Sequence, residues 1–269
     1  MHRLWLVQIA PNSTPPRAAR YESVWRQKNP ALHVDYLRSR DAEELIRRHY
    51  PAFLRSYRSL QTGVERADFV RYLAIHRYGG VYADDDVVPI MPIGRWLPTF
   101  GWRTTPRNAL VVGVERARPP LLAQFVFASV PRHPLLWAVA EEVHARVQRL
   151  TAAHRFSVLE RTGPLAWTSA ILRFIDSHAA PRDENRSVVD ETQGRLIQLE
   201  KDGQQWSLLV LPYRAFGVNR AHQTQLRKEP STQHLVHHQF LGSWKSNEYW
   251  HARQQLPSAL SSPSPEGIR

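Results

Sequence analysis

Apolar residues along this chain occur either in short continuous runs or at helical spacing. The runs RLWLVQIA, ALHVDYL, NALVVGV and QWSLLVLPYRAFGVN are typical of buried strands, because β-forming residues are followed by turn-forming ones. A helical pattern lies between the first two runs, and a helix predicted to begin near Ser39 or Asp41 and to end at Pro51 follows the second. This order of elements predicts an α/β fold with parallel strands.

The clearest helix in the sequence covers residues 62 to 78. Thr62 and Glu65 have the spacing of a capping box, and a double glycine after residue 78 supplies the stop. Asp68 and Arg71 lie on its apolar face, either as an i,i+3 pair that supports the helix or as side chains that reach into a cleft. That face also holds Val64, Ala67, Ala74 and Ile75, whereas Glu65, Arg66 and Arg77 are predicted to lie away from it.

The second half of the chain has weaker patterns. The segment PLLAQFVFASVPRHPLLWAVAEEVHARVQRL is predicted to be mainly helical with breaks at Pro131 and Pro134, and TGPLAWTSAILRFID to form a glycine turn and a helix. The stretch HLVHHQFLGSWKSNEYW closes the folded part. We therefore expect one domain over residues 1–252 and a disordered, Pro- and Ser-rich tail over 253–269.

Composition narrows the chemistry. The chain has 269 residues and no cysteine, so disulfides and thiolate metal sites are excluded and oxygen and nitrogen atoms remain as metal ligands. The net charge of +12 comes from scattered basic residues, mostly arginine, and leaves a module that binds nucleic acid or another polyanion as an alternative. No apolar run is long enough for a membrane span and the start does not resemble a signal peptide, so we expect a soluble, cytoplasmic protein.

Three consecutive aspartates follow the β-forming stretch GGVYA. In an extended segment Asp84 and Asp86 would point to one side and Asp85 to the other, so that two carboxylates could hold Mg²⁺ or Mn²⁺ with a phosphate-bearing substrate. The apolar flanks argue against a solvated acidic turn, because buried negative charge needs compensation. A phosphatase that forms an aspartyl-phosphate could use the same residues, but it needs a longer apolar run before its nucleophile.

Several motifs in shared order resemble one known family. The central pattern A-D-x-x-R-Y followed by G-G-V-Y-A-D-x-D is similar to the DXD-containing glycosyltransferases of family 32, which include initiation-type α-mannosyltransferases and are distantly similar to clostridial toxin glucosyltransferases. Further short motifs occur in the same order as in that family, so the resemblance covers roughly residues 3 to 245. These motifs are VQIA, VWRQKNP, PRHP, RTGP and HQFLGSW. It implies a GT-A fold, a Rossmann-like α/β domain with a mixed, mostly parallel sheet.

The resemblance also implies an activity: a metal-dependent, retaining transfer from a UDP- or GDP-sugar to a glycan, lipid or protein. It implies that Asp86 ligates Mn²⁺ or Mg²⁺ directly and that Asp84 helps the metal site and binds the donor ribose or sugar. His238 is implied to close over the diphosphate, and His238 or His237 to complete the metal shell. The resemblance implies that Asp68 and Arg71 bind hydroxyls of the transferred sugar and that Tyr82 lines the same pocket. It places Gln8 and Ile9 at the nucleoside end of the pocket. Ser243 and Trp244 are implied to close over the diphosphate. The chain differs from residues common in the family at three positions, Val7, Ala10 and Gln124. These differences are expected to affect the choice of donor more than the type of reaction. An inactive family member remains an alternative.

Overall fold

The computed structural model describes residues 3–9, 17–104, 106–117, 119–149, 157–179, 194–216 and 233–239. Its strands are β1 (Arg3–Gln8), β2 (His33–Arg38), β3 (Gly80–Ala83), β4 (Val87–Pro89), β5 (Ala109–Arg116), β6 (Leu121–Leu122), β7 (Val126–Ser129), β8 (Arg195–Lys201), β9 (Gln204–Leu211) and β10 (Val236–His238). Its helices are α1 (Arg17–Lys28), α2 (Ser39–His49), α3 (Leu54–Ser59), α4 (Gly63–Tyr78), α5 (Trp96–Thr99), α6 (Pro134–Gln148), α7 (Val158–Arg161), α8 (Pro164–His178) and α9 (Tyr213–Phe216).

The main sheet has the strand order β2-β1-β3-β7-β5-β9-β8, with β6 paired to β5. Strands β2, β1, β3, β5 and β9 run in one direction, and β7 and β8 run against them. The expected mixed sheet with mostly parallel strands is therefore confirmed. A small antiparallel pair of β4 and β10 lies beside it.

Two apolar layers cover the two faces of the sheet. Side chains of α2, α4, α6 and α8 pack on one face, with Tyr82 and Phe127 from the sheet. Trp25 of α1 and the short elements α5, α9, β4 and β10 pack on the other, with Val81 and Ala83 from the sheet. Alternate residues of β3 thus enter different layers, as the period of a strand requires.

The turn from α4 to β3 depends on Gly79 and Gly80. Their φ angles are 67° and 103°, in the region that disfavours other residues. A Cβ on Gly80 would also lie 2.7 Å from the carbonyl oxygen of Arg3 in β1. The double glycine therefore lets α4 turn directly into the strand beside β1.

Most sequence-based elements are confirmed, including the capping box at Thr62, whose side chain accepts a hydrogen bond from the Glu65 amide. The prediction of a mainly helical segment from residue 120 onwards is wrong in its first part, which forms β6 and β7. Strand β7 pairs with β3 and β5, and a short apolar run buried on both sides cannot be told from a helix by periodicity. The predicted tail at 253–269 lies outside the described residues.

Candidate metal and sugar site

The three aspartates form a turn between β3 and β4. The amide of Val87 donates to the carbonyl of Asp84 at 3.1 Å, and the amide of Asp84 donates to the carbonyl of Phe125 at 2.8 Å. The expectation of an extended segment is therefore wrong, because the chain reverses at this point. The turn nevertheless brings the carboxylates of Asp84 and Asp86 together. They converge because the backbone turns here, and not because alternate residues of a strand share a face.

A histidine from the far end of the described chain joins these carboxylates. Potential ligand atoms of Asp84, Asp86 and His238 lie within 4.8 Å of one another, and His238 Nε2 is 3.1 Å from Asp86 Oδ1. Pairing of β10 with β4 places His238 opposite Val87, and its ring stacks on Phe125 at a centroid distance of 4.3 Å. His238 is 9% exposed and is therefore buried beside the carboxylates. The neighbouring His237 is not part of this cluster.

Arg71 lies between two carboxylates. Its Nη2 is 2.7 Å from Asp68 Oδ1 and its Nη1 is 3.1 Å from Asp84 Oδ1. Arg71 and Asp68 are 4% and 2% exposed. The i,i+3 pair is buried, as the helix-supporting interpretation expects, and Arg71 also contacts Asp84 of the aspartate turn. The interpretation in which these side chains reach into a cleft stays a prediction.

Tyr82 completes the support of Asp84. Its hydroxyl donates to the same Oδ1 that Arg71 contacts, and the Arg71 guanidinium lies 4.7 Å from the centre of its ring. Oδ2 of Asp84 accepts no hydrogen bond from the described residues. Burial raises the pKa of Asp84, and the positive charge of Arg71 opposes that shift. The contacts therefore fix one oxygen of Asp84 and leave the other for a ligand.

Asp68 is enclosed by polar partners from other elements. Gln124 Nε2 donates to its Oδ1 at 3.2 Å, and the hydroxyl of Thr162 donates to its Oδ2 at 2.9 Å. Burial raises the pKa of Asp68 to about 6, against the lowering effects of Arg71 and Thr162. The hydroxyl of Tyr72 contacts Gln124 Oε1 and lies 2.9 Å from the carbonyl oxygen of Thr162.

The sequence did not predict the contacts that Glu65 and Thr162 make around this site. Glu65, expected to lie away from the apolar face, is fully buried, and its Oε1 accepts from Arg161 Nη1 at 2.5 Å. Its other oxygen accepts a hydrogen bond from the Thr62 amide as part of the helix cap. A local sequence pattern therefore explains Glu65 by the cap alone and gives no sign of its ion pair with Arg161. The RTGP motif was the signal that could have identified Thr162.

The nucleoside end of the expected pocket is only partly described. Ile9 follows β1 at the carboxyl edge of the sheet, near the end of β3, since Leu6 pairs with Ala83. A Cβ on Gly63 would lie 2.3 Å from the Ile9 carbonyl oxygen, so the first turn of α4 abuts this edge. Gln8 ends β1, but its side chain lies outside the described residues, as do Ser243 and Trp244. The ends of β1 and β3 thus border the aspartate turn, where open α/β sheets bind ligands.

Comparisons with known proteins find a family match over the segment that contains the aspartate turn. Residues 15–101 match the family described as a glycosyltransferase sugar-binding region containing a DXD motif. An initiation-specific α-1,6-mannosyltransferase of Schizosaccharomyces pombe is 26% identical over 250 residues, which cover 85% of this chain and 60% of that protein. The enzyme of the same name from Candida albicans is 24% identical over 277 residues, covering 90% of this chain and 71% of that protein.

A solved structure supports the fold. The PaToxG glycosyltransferase superposes with a TM-score of 0.50 at 16% sequence identity, covering 65% of this chain and 70% of that one. The expected GT-A fold and the family resemblance are therefore confirmed. The chain spans 60% of the length of the S. pombe relative. Within the part of the chain that the structure describes, no helix is long and apolar enough to cross a membrane.

Proposed function

We propose that this chain, a relative of the DXD-containing glycosyltransferases, transfers a sugar from a nucleoside-diphosphate sugar to a glycan, lipid or protein acceptor with the help of Mn²⁺ or Mg²⁺. The observation that carries the proposal is the convergence of Asp84, Asp86 and a buried His238 at the carboxyl edge of the sheet. The names of the relatives favour mannose as the first sugar to test, with UDP- and GDP-sugars as the donor classes.

The residues present fit a hard divalent cation. Two carboxylates and one imidazole supply oxygen and nitrogen ligands, and the chain has no cysteine to favour a softer metal. Asp86 Oδ1 and His238 Nε2 lie 3.1 Å apart, so both atoms would be close enough to serve one cation as ligands. When bound, such a cation stabilises the charge that develops on a departing nucleoside diphosphate.

Other residues of the site bind and orient the donor in this proposal. Arg71 and Tyr82 hold one oxygen of Asp84, so the other oxygen would be available to bind the cation. Asp68, with Arg71, binds hydroxyls of the transferred sugar, and Tyr82 lines the same pocket. Gln8 and Ile9 bind the nucleoside end, and Ser243 and Trp244 close over the diphosphate.

We further propose that transfer retains the configuration at the anomeric carbon by substitution on one face of the sugar. A departing phosphate oxygen would take the acceptor proton in that case, so no enzyme nucleophile is needed. A covalent sugar adduct on any Asp or Glu, found by mass spectrometry of the protein trapped with a slow donor, would overturn this part and leave the transferase assignment intact.

The experiment that tests the proposed function is a calorimetric screen of UDP, GDP and CDP and their sugars with and without Mn²⁺. We expect one nucleoside diphosphate to bind only with the metal. Asp86→Asn should abolish this binding and the transfer, because it removes a charged ligand, while Asp85→Asn should retain both. Full metal-dependent binding by Asp86→Asn would contradict the proposal. Binding of polyanions that falls steeply with salt and ignores Mn²⁺ would instead favour a polyanion-binding module.

A further inference from the structure

Three parts of the chain supply the polar partners of Asp68. Oδ1 forms an ion pair with Arg71 on the same helix and accepts a hydrogen bond from Gln124, which lies between β6 and β7. Oδ2 accepts a hydrogen bond from Thr162, which precedes α8. A carboxylate offers about four acceptor positions, and each of its oxygens offers about two. The described contacts therefore leave one acceptor position on Oδ2, in a side chain that is only 2% exposed.

The hydroxyl of Tyr72 contacts two of the residues that bind Asp68. Its hydroxyl lies within hydrogen-bond reach of both Gln124 Oε1 and the Thr162 carbonyl oxygen, so one group contacts both residues that hold the carboxylate from other elements. The ring of Tyr72 stacks on Trp167 of α8 with a centroid distance of 5.2 Å and an interplanar angle of 6°. This stacking fixes the hydroxyl independently of the hydrogen bonds that it makes.

The neighbouring ion pair anchors the same junction. Arg161, which directly precedes Thr162, is bound to Glu65 on the first turn of α4. Thr162 lies between α7 and α8, and its hydroxyl contacts Asp68 of α4 at 2.9 Å and the Val158 carbonyl oxygen of α7 at 3.4 Å. In the described residues no hydrogen bond or ion pair joins the side chains of Tyr72, Gln124 or Thr162 to Asp86 or His238. Arg71 connects Asp68 to Asp84.

We propose that Tyr72, Gln124 and Thr162 are positioning residues that make Asp68 selective for the configuration of one sugar hydroxyl. They hold the carboxylate so that Oδ2 presents a single acceptor position, and a sugar with that hydroxyl turned elsewhere would leave a buried acceptor unsatisfied. This inference rests on the proposed function and adds the residues that determine sugar choice. The three positioning residues connect to the proposed metal ligands only through Arg71, which contacts both Asp68 and Asp84.

The test uses Tyr72→Phe, which keeps the stacked ring, and the pair Thr162→Val and Thr162→Ser, of which only the second keeps a hydroxyl. Each variant is assayed with the donor identified in the calorimetric screen and with its epimers, for kcat, KM and nucleoside-diphosphate affinity. Tyr50→Phe is the matched control, because its buried hydroxyl donates to the Leu73 carbonyl at 3.1 Å, away from Asp68.

We expect Tyr72→Phe and Thr162→Val to lower kcat/KM for the preferred donor roughly 10–100-fold, the range usual for residues that orient a ligand-binding group. The preference over epimers should narrow about tenfold, because a less constrained Oδ2 can meet a hydroxyl in either orientation. Metal-dependent binding of the nucleoside diphosphate should stay within twofold of the unmodified protein. Thr162→Ser and Tyr50→Phe should retain both efficiency and preference.

Two results would overturn this inference. One is an unchanged epimer preference in both Tyr72→Phe and Thr162→Val; the other is a parallel loss of nucleoside-diphosphate binding, which would indicate a purely structural role. Thr162→Val is nearly isosteric, so it tests the idea even when the tyrosine variant does not fold. Absence of metal-dependent nucleotide binding in the unmodified protein would instead refute the proposed function itself, before any variant is made.

Discussion

Replacing Arg71 by methionine removes the cation that lies between Asp68 and Asp84. Methionine preserves much of the side-chain volume, so the change isolates the charge and its hydrogen bonds. The guanidinium is 2.7 Å from Asp68 and 3.1 Å from Asp84, and both Arg71 and Asp68 are nearly inaccessible to water. Removing one partner of a buried ion pair costs about 3–5 kcal/mol, because the remaining charge has no compensation.

The stability lost in Arg71→Met should be larger at high pH than at low pH. The pKa of Asp68 is already raised to about 6 with Arg71 present, and it rises further without the cation. A carboxyl whose folded pKa lies above its unfolded value binds protons preferentially in the folded state, so the penalty is largest above the folded pKa and is relieved as the pH falls through it. We therefore expect Arg71→Met to lose less stability at pH 5 than at pH 8.

The assay is urea unfolding followed by tryptophan fluorescence at both pH values. Adding Asp68→Asn to Arg71→Met should recover part of the lost free energy of unfolding, since one of the uncompensated charges is gone. Arg58→Met is the control, because the ion pair of Arg58 with Glu43 is exposed and should contribute nothing measurable. An Arg71→Met protein that is as stable as the unmodified protein at pH 8, or a double variant no more stable than the single one, would refute the argument.

Two further changes test stability away from the proposed chemistry. Gly80→Ala should lower the free energy of unfolding by about 1–3 kcal/mol in denaturant titrations, because φ is 103° and the new Cβ would lie 2.7 Å from the Arg3 carbonyl oxygen; an unchanged midpoint would contradict this reading. His133 is fully buried, accepts a hydrogen bond from the Leu135 amide through Nδ1, and has its pKa lowered by burial to about 4. Its stabilising contribution is therefore present above the unfolded pKa of 6.5 and is lost as the pH falls toward 4, up to about 3 kcal/mol. His133→Asn should keep the helix cap and flatten the stability profile between those pH values, whereas an unchanged slope would show that another group titrates there.

Local features of this protein follow from the sequence because their causes are local. The capping box of Thr62 and Glu65 and the glycine stop after Tyr78 involve neighbouring backbone groups, and the structure has α4 within those bounds. The order of strands and helices, the α/β class and the position of the aspartates after a buried strand could be predicted for the same reason. The resemblance to a family added the fold and the expected residues, although it left their contacts open.

The partners of the buried charges were decided only by the tertiary structure. Glu65 meets an arginine 96 residues later, and Asp68 meets Gln124 and Thr162 at separations of 56 and 94 residues. Periodicity places an acid on a helix face, but the donor that satisfies it comes from whichever element packs there. The same holds for His238, which reaches Asp86 through the pairing of β10 with β4. Burial makes these polar contacts necessary, and only the packing of distant segments determines which residues provide them.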